Sequence, residues 1–267
     1  MIEPFLKWPG GKRWLTSRHL NIFPKTYRNY IEPFLGGAAV FFALSPEDAY
    51  LSDANAELVN TYNRIKNDWL QIEKSLARYQ KKHDSEFYYR MRAKNPTDPI
   101  ARAARFLYLN RTCFNGIYRV NKGGDFNVPI GTKDTVSFEA GYLEKVAHSL
   151  KNARIRTRDF AIAIRKASEG DFIFVDPPYT VTHNNNGFVK YNAQLFSWPD
   201  QRRLATELKA AAKRGALVMM SNADHESVKA LYNDFGTHHT LTRSSVLASD
   251  PGYRRNSTEL LITNFKV

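Results

Sequence analysis

The stretch Phe172-Ile173-Phe174-Val175-Asp176-Pro177-Pro178-Tyr179 decides the fold. Its apolar first half is typical of a strand that is buried on both faces. Consecutive prolines cannot continue a sheet because they lack the N–H donor, so the chain must leave the sheet after this strand. The pattern therefore predicts that the Asp176 carboxylate, the Pro177 carbonyl and the Tyr179 ring are presented at a sheet edge. The alternative is an ordinary strand end with a solvated aspartate.

Strand and helix patterns alternate on both sides of this stretch. We predict strands at 30–32, 49–53, 153–157, 171–176, 216–222, 237–242 and 258–265, and helices at 38–44, 139–150, 160–168, 200–213 and 224–232. This order predicts an α/β fold with a mostly parallel sheet covered by helices on both faces. No helix separates the last two strands, which predicts an antiparallel edge hairpin. Ligands of such sheets bind beyond the carboxyl ends of the strands.

Residues 58–145 show a different pattern. Apolar side chains recur every three or four positions from Val59 to Leu76, which predicts a long amphipathic helix with Asn55 as its N-cap. Further helical patterns are followed by a stretch rich in glycine, asparagine and basic residues at 110–133. We predict a helical insert with a β-hairpin or loop at 58–145. It separates the two parts, 1–57 and 146–267, of the α/β domain.

The composition limits the function classes. Lys and Arg number 39 against 26 Asp and Glu, a net charge of +13, which creates a positive field that attracts a polyanion such as nucleic acid. A hydrophobic content of 43% supplies a core and argues against disorder. No apolar run approaches the roughly 18 residues that span a bilayer, so we expect no membrane association. The single cysteine, Cys113, excludes a disulfide framework, and no metal site is predicted.

Motifs between residues 5 and 262 follow the order found in one known family. They are Phe5-Leu6-Lys7-Trp8-Pro9-Gly10-Gly11-Lys12, Ile31-Glu32-Pro33-Phe34-Leu35-Gly36-Gly37, Leu109-Asn110-Arg111 with Phe114-Asn115-Gly116 and Arg119, Gly124-Asp125-Phe126-Asn127-Val128-Pro129, and Asp176-Pro177-Pro178-Tyr179. The chain resembles the Dam-type DNA adenine-N6 methyltransferases, which carry the Asp-Pro-Pro-Tyr motif of amino-group methyltransferases. The resemblance implies a Rossmann-like class I methyltransferase fold and site-specific methylation of double-stranded DNA by S-adenosylmethionine.

The Asp-Pro-Pro-Tyr motif suits this chemistry. The exocyclic amine of adenine is a poor nucleophile because its lone pair is delocalised into the ring. Acceptors on its two N–H bonds, here Asp176 and Pro177, localise that pair and stabilise the positive charge that develops. Tyr179 can stack on the base, which must first be flipped out of the duplex. The resemblance places Pro178 in the same catalytic motif.

A second group of residues suits a cofactor. Gly36 and Gly37 lie between a strand and a helix, where a ligand can approach the backbone at a helix N-terminus. Asp53 ends the next strand, 17 positions after Gly36, close to the spacing at which an acidic residue meets a ribose in dinucleotide folds. Ala38 stands at the third glycine position of the commoner form, and a purely structural turn is the alternative. The resemblance implies that S-adenosylmethionine is bound by Trp8, Lys12, Phe34, Gly36, Gly37, Asp53, Asp159, Phe160 and Asp176.

The resemblance implies that 58–145 is a DNA target-recognition domain and that 1–57 and 146–267 form the catalytic S-adenosylmethionine-binding domain. It also implies residues that recognise DNA, which in the family read GATC. They are Lys7, Phe114, Asn115, Ile117, Arg119 and Pro129. Arg119 can contact guanine with two hydrogen bonds in the major groove, and Lys7 can also reach a guanine. Phe114 keeps the aromatic wedge of the family but lacks the hydroxyl of the tyrosine often found there. The alternatives are phosphate contacts for the two basic side chains and core packing for Phe114.

Three other functions stay open from the residues alone: methylation of cytosine N4, methylation of RNA, and DNA binding without catalysis. Cytosine-N4 enzymes tend to carry serine in place of Asp176, and the intact Asp-Pro-Pro-Tyr motif argues against a silent module. We expect a cytoplasmic monomer of prokaryotic or phage origin, whose partner could be a restriction endonuclease of the same system. The run Asn184-Asn185-Asn186-Gly187 predicts a loop, with a substrate lid as the alternative.

Overall fold

The computed structural model describes residues 2–121, 123–181, 196–244 and 256–267. Its strands are β1 Tyr30–Glu32, β2 Ala49–Asp53, β3 Ala153–Thr157, β4 Phe172–Val175, β5 Leu217–Ala223, β6 Thr237–Ser244 and β7 Asn256–Thr263. Its α-helices are α1 Arg13–Arg18, α2 Ala39–Leu44, α3 Ala56–Gln80, α4 Ser85–Ala93, α5 Pro99–Thr112, α6 Tyr142–Ser149, α7 Phe160–Ile164, α8 Trp198–Lys213 and α9 Glu226–Leu231. The loop expected at 184–187 lies outside the described residues.

The strands of the described residues form one sheet in the order β3-β2-β1-β4-β5-β7-β6. β1 pairs in parallel with β2 and β4, and β4 pairs in parallel with β5. β7 pairs antiparallel with both β5 and β6. The predicted α/β fold, a mostly parallel sheet with an antiparallel edge, is therefore confirmed. The pairing adds that β7 lies between β5 and β6, so that β6 is the edge strand.

The chain divides into two compact units, and the first comprises Met1–Thr16, Leu35–Glu47 and Ser52–Thr157. Its longest helix, α3, begins at the predicted N-cap Asn55, whose side chain accepts hydrogen bonds from two backbone N–H groups. The predicted apolar stripe of α3 is buried except for Trp69, which is partly exposed. The helix bends at Asp68, whose φ of −134° is not helical. This bend changes the direction of the stripe one residue before Trp69.

Residues 58–145 contain no strand within their described part. Isolated antiparallel bridges join Cys113 to Ile130 and Val120 to Phe126, where the sequence predicts a hairpin or loop. The compact units do not follow the predicted boundaries at 57/58 and 145/146. The division into a catalytic and a recognition domain therefore stays a prediction.

The second unit comprises Ser17–Phe34, Asp48–Leu51 and Arg158–Val267. Every residue of β4 is buried, as the apolar run predicts. Its core packs β4 and β5 against α7 and α8, and α8 begins with a capping box of Ser197 and Asp200. Helix α7 ends at Ile164, earlier than the predicted 168, and Arg165 and Lys166 form a turn after it. None of the helices in the described ranges has the length and apolar character that would carry it through a bilayer.

Candidate active site

The Asp-Pro-Pro-Tyr segment leaves the sheet directly after β4, as its prolines predict. Asp176 and Tyr179 are partly exposed, while Pro177 is buried. The Tyr179 hydroxyl donates a hydrogen bond of 3.0 Å to Glu259 Oε2 and lies 3.3 Å from Ser221 Oγ. The carboxylate and the aromatic ring are thus accessible at the carboxyl end of a buried strand, and the ring is held at its hydroxyl.

Two buried polar atoms lie beside this segment. Within the described part of the chain, no hydrogen-bond partner exists for Thr180 Oγ1 or Asn222 Nδ2. Thr180 follows Tyr179 directly, and Asn222 lies on β5, two residues beyond the partner of Val175. Buried polar groups are nearly always paired in folded proteins. Their position next to the Asp-Pro-Pro-Tyr segment is therefore what a site for a polar ligand requires.

Asp159 and Phe160 lie at the start of α7 in the same unit. Asp159 caps the helix by accepting from the Ala161 N–H at 2.9 Å, and both of its oxygens accept from Arg203, at 2.7 and 2.8 Å. The Arg203 guanidinium lowers the pKa of Asp159, so that this carboxyl stays ionised. The sequence gives no indication of the arginine, because Arg203 comes from α8, 44 residues away.

Phe34 and Phe160 form an aromatic group with Phe196. The rings of Phe34 and Phe160 are stacked at 5.3 Å with an interplanar angle of 24°, and Phe196 meets both rings edge-on. The Arg203 guanidinium lies 4.2 Å from the centre of the Phe160 ring. Phe160 is only 6% exposed, whereas Phe34 is partly exposed. A flat ligand therefore has access to Phe34 more readily than to the face of Phe160.

In the first unit, the glycine turn and Asp53 are joined by a hydrogen bond. The Gly36 N–H donates to Asp53 Oδ2 at 3.1 Å, and the Asn55 N–H donates to Oδ1 at 2.9 Å. The Tyr62 hydroxyl donates to the Gly36 carbonyl at 3.0 Å. Burial raises the pKa of Asp53, and the backbone N–H groups offset part of that rise. The glycine turn and this acidic side chain thus lie together, and the carboxylate keeps acceptor capacity for a ligand.

Trp8 lies over the same turn. A Cβ atom at Gly36 would be 2.8 Å from Trp8 Cδ1, so the ring and the turn are in close contact. The Trp8 ring is also stacked on the Tyr118 ring, at 5.8 Å with an interplanar angle of 17°. Lys12 is buried, and its Nζ donates to the Gly10 carbonyl at 2.8 Å. The N-terminal motif thus brings an indole ring and a buried ammonium into the unit that holds the glycine turn.

Lys7 runs across Gly116, which follows two of the predicted DNA-recognition residues. A Cβ atom at Gly116 would lie 2.2 Å from Lys7 Cδ, so only glycine allows this approach. Asn110 joins the two segments, because its side chain bonds both backbone groups of Lys7, at 3.1 and 2.8 Å, and the Gly116 carbonyl at 3.1 Å. Burial lowers the pKa of Lys7, and the adjacent charge of Lys133 lowers it further. A crowded, partly desolvated ammonium favours an acceptor or anion at this place.

Phe114 and Asn115 form an exposed turn next to Lys7. Phe114 is 52% exposed, which is incompatible with the alternative that it packs in the core. Its N–H donates to the Pro129 carbonyl at 2.9 Å, so the turn lies beside another predicted recognition residue. The buried Tyr88 donates from its hydroxyl to the Val128 carbonyl at 2.9 Å and thereby fixes this segment. An exposed phenyl ring on an anchored turn has the properties of a wedge.

Arg119 is presented from the segment that Val120 and Phe126 close. Its Nε donates to Asn127 Oδ1 at 3.0 Å, and the Asn127 N–H donates to the Arg119 carbonyl at 3.3 Å. Since Nε is engaged, the two terminal nitrogens of the guanidinium are left for a bidentate contact. The structure thus brings Lys7, Phe114, Asn115, Ile117, Arg119 and Pro129 into one compact unit.

Sequence reasoning missed the residues that hold the site residues in place. The sequence shows Asn110 only as part of a motif, and it does not indicate Arg203, Ser221 or Glu259. Ser221 follows the four apolar residues 217–220 of β5, Glu259 precedes the three apolar residues 260–262 of β7, and both are buried. A polar residue directly next to the apolar run of a predicted strand is the signal that the sequence offers.

The comparisons with known proteins agree with this geometry. A family model, the D12 class N6 adenine-specific DNA methyltransferase, matches residues 8–246. The chain is 35% identical over 274 residues to the type II methyltransferase M1.LlaDCHI of Lactococcus lactis subsp. cremoris, covering 99% of this chain and 96% of that protein. It is 34% identical over 287 residues to M.MjaIII of Methanocaldococcus jannaschii, covering 99% of both. It is also 34% identical over 237 residues to the DNA adenine methylase of Haemophilus influenzae, covering 86% and 83%.

An α/β sheet that presents an Asp-Pro-Pro-Tyr segment after a buried strand defines an amino-group methyltransferase. The chain belongs to the D12 class of N6 adenine-specific DNA methyltransferases, and it is an enzyme that methylates adenine in DNA. The predicted family is therefore confirmed. Cytosine-N4 methylation, RNA methylation and DNA binding without catalysis are not favoured by these matches.

Proposed function

We propose that the enzyme transfers a methyl group from S-adenosylmethionine to N6 of an adenine flipped out of a GATC site. The observation that carries this proposal is the position of Asp176, a partly exposed carboxylate at the carboxyl end of β4, followed by a buried proline and an anchored tyrosine. In this arrangement the Asp176 carboxylate and the Pro177 carbonyl accept from the two N–H bonds of the adenine amine. The Tyr179 ring stacks on the base.

The residues of the cofactor group fit S-adenosylmethionine. Asp53 is an acceptor for ribose hydroxyls, because two backbone N–H groups hold it and each oxygen can accept again. The partly exposed ring of Phe34 suits an adenine, and the ionised Asp159 suits a donor on it. Trp8, Lys12, Gly36, Gly37, Phe160 and Asp176 complete the proposed binding residues. When bound, the cofactor supplies the electrophilic methyl carbon.

The chain's own residues then have three tasks. Asp176 and Pro177 orient the amine and stabilise the charge that develops on it. Tyr179 and the rigid Pro178 restrict the position of the base. This orientation raises the rate of methyl transfer more than an added binding contact does. Phe114 fills the gap that the flipped adenine leaves in the duplex.

Exposed and partly exposed residues of the first unit are the proposed sequence-recognition residues. Arg119, oriented through Asn127, reads a guanine, and Lys7 contacts a second guanine. Asn115, Ile117 and Pro129 contribute further contacts to the bases or backbone. Relatives named DNA adenine methylase, such as that of Haemophilus influenzae, support adenine in DNA as the target. The proposal of GATC rests on the resemblance of the recognition motifs to those of the Dam-type family.

A methyl-transfer assay tests the proposal. Tritiated S-adenosylmethionine is supplied with duplexes that contain GATC or a version with one guanine exchanged. We expect label in N6-methyladenine of the first duplex alone. Equal label in both duplexes would refute the proposed recognition sequence while leaving the chemistry intact.

A variant tests the assignment of Asp176. We expect Asp176→Ala to abolish methyl transfer while DNA affinity largely survives. The matched control is Asp234→Ala, which removes an exposed carboxylate paired with Lys209 in the same unit and should keep the rate. Normal transfer by a folded Asp176→Ala variant would show that another group activates the amine.

We also propose that the enzyme acts as a cytoplasmic monomer in a prokaryote or as a phage product. Because two relatives are named type II methyltransferases, a restriction endonuclease of the same system is the proposed functional partner. Sedimentation analysis with and without DNA checks the monomer, and a stable dimer in free solution would contradict it.

A further inference from the structure

A polar network lies behind the Asp-Pro-Pro-Tyr segment. The Tyr179 hydroxyl donates to Glu259 Oε2 at 3.0 Å and lies 3.3 Å from Ser221 Oγ. Ser221 Oγ in turn donates to the same glutamate oxygen at 3.3 Å. The three side chains come from the segment after β4, from β7 and from β5. The network therefore connects the end of the catalytic motif to two strands of the sheet.

The acceptor of this network is buried. Glu259 is 3% exposed and Ser221 is 2% exposed. In the antiparallel register, Ala223 is opposite Glu259 and Ser221 is opposite Leu261, so the two polar side chains are diagonal neighbours on one face. Removing a carboxylate from water is costly unless hydrogen-bond donors satisfy it. An aliphatic side chain would avoid that cost here, so packing alone does not explain a glutamate.

We propose that Glu259 is a positioning residue for methyl transfer, which holds the Tyr179 ring in place for the flipped adenine. This inference rests on the proposed role of Tyr179 as the surface on which the base stacks. Stacking itself needs only the ring, since a phenylalanine has the same face. The hydroxyl adds a directional bond to an acceptor fixed by two paired strands. That bond restricts rotation of a partly exposed ring on a loop.

The position of the ring matters because the reacting groups lie on the same short segment. Asp176 and Tyr179 are separated by two prolines, which make the segment stiff. A base held against a fixed ring keeps its amine within reach of Asp176 and Pro177. A misplacement of about 1 Å can cost about 100-fold in rate, so a small loss of ring order is sufficient to be measured.

The first test removes each end of the bond. We expect Tyr179→Phe and Glu259→Leu each to lower the single-turnover rate of methyl transfer about tenfold, the value of one hydrogen bond to a charged group. The affinities for DNA and for S-adenosylmethionine should change less than about twofold, because the ring remains. With 2-aminopurine at the target adenine, fluorescence of the bound duplex should rise in both variants, since a mobile ring quenches the flipped base less.

Further variants separate positioning from a merely structural role. Glu259→Gln keeps an acceptor oxygen and should recover most of the rate that Glu259→Leu loses. The matched control is Tyr232→Phe, which removes another tyrosine hydroxyl, one that is hydrogen-bonded to Gln201 at 2.9 Å. That variant should lose stability without a change in rate or in 2-aminopurine fluorescence. The double variant Tyr179→Phe with Glu259→Leu should be no slower than either single variant, because both remove one interaction.

Several outcomes would overturn the inference. If Tyr179→Phe has the same methyl-transfer rate and 2-aminopurine fluorescence as the wild type, the inference is refuted, even if Glu259→Leu fails to fold. Multiplicative losses in the double variant would show that the two residues act separately. If 2-aminopurine fluorescence stays unchanged on binding in the wild type and in both variants, base flipping fails instead, which contradicts the proposed function rather than the role of Glu259.

Discussion

The substitution Gly36→Ala tests the contact between the glycine turn and Trp8. Gly36 has a φ of +45°, and an added Cβ would lie 2.8 Å from Trp8 Cδ1 and 2.9 Å from Nε1. The left-handed backbone costs about 1–2 kcal/mol for a residue other than glycine. Overpacking against the ring adds about 1–3 kcal/mol, so the free energy of unfolding should fall by about 2–5 kcal/mol in total.

Gly141→Ala is the matched control for the part of the stability loss that comes from the left-handed backbone. Gly141 has a φ of +74°, and an added Cβ would meet no atom within 4 Å. The free energy of unfolding of Gly141→Ala should therefore fall only by the conformational cost, about 1–2 kcal/mol. The smaller entropy of the unfolded chain with alanine affects both variants equally and cancels in the comparison.

Urea denaturation followed by circular dichroism measures these losses, and calorimetric titration measures S-adenosylmethionine affinity. Gly36→Ala should also weaken cofactor binding, because the Gly36 N–H holds Asp53, whereas Gly141→Ala should not. The double variant of Trp8→Leu with Gly36→Ala should lose about 1–3 kcal/mol less unfolding free energy than the two single variants lose together. Equal destabilisation by Gly36→Ala and Gly141→Ala, with additive behaviour of Trp8→Leu, would refute the steric argument.

Three more predictions concern the cofactor and the DNA. Because burial raises the pKa of Asp53 above its ordinary 3.8, S-adenosylmethionine affinity should be full above the raised pKa and fall about tenfold per pH unit below it. Arg119→Ala should reduce discrimination against a changed guanine by about 1–3 kcal/mol, and Asn127→Ala should do so in part, in competition methylation assays. Phe114→Ala should weaken binding of an intact duplex more than of a duplex with a mismatch at the target adenine, because a mismatched base costs less to flip. Binding isotherms on the two duplexes measure this ratio.

A specific result would contradict each of these three predictions. An Asp53→Asn variant should bind weakly with no pH dependence over the same range, and a slope that persists would assign the titration to another group. If Arg119→Ala weakens binding to every duplex equally, the arginine contacts a phosphate. An unchanged ratio for Phe114→Ala would show that the exposed ring plays no part in base flipping.

Local sequence patterns were enough to predict most of the sheet. β1, β2 and β3 begin and end where the residue pattern places them. β4 is recognisable because an apolar run is cut off by Asp176 and two prolines, and α3 is recognisable by its stripe and its Asn55 cap. Each of these signals depends on residues a few positions apart, where the backbone geometry and hydrogen-bonding capacity of single residue types decide the outcome.

The sequence predicts which chemical groups form the candidate site, but not which side chains hold those groups in place. The side chains proposed to bind the methyl acceptor and the cofactor lie close together in short motifs. They can therefore be recognised from the sequence alone. The side chains that hold them could not be assigned in this way. Asn110 is 103 positions from Lys7, and Glu259 is 80 positions from Tyr179. No local period relates residues at such distances.

The sequence by itself determined the alternation of strands and helices, the break after Val175 and the resemblance on which the proposed chemistry of the Asp-Pro-Pro-Tyr motif rests. Only the tertiary structure decided that β7 enters the sheet between β5 and β6, which brings Glu259 next to Ser221 on paired strands. It also decided that Trp8 covers Gly36 and that Asn127 orients Arg119. The physical reason is that strand order and close packing depend on the free energy of contacts between distant segments, which apolar patterning leaves nearly equal among several pairings.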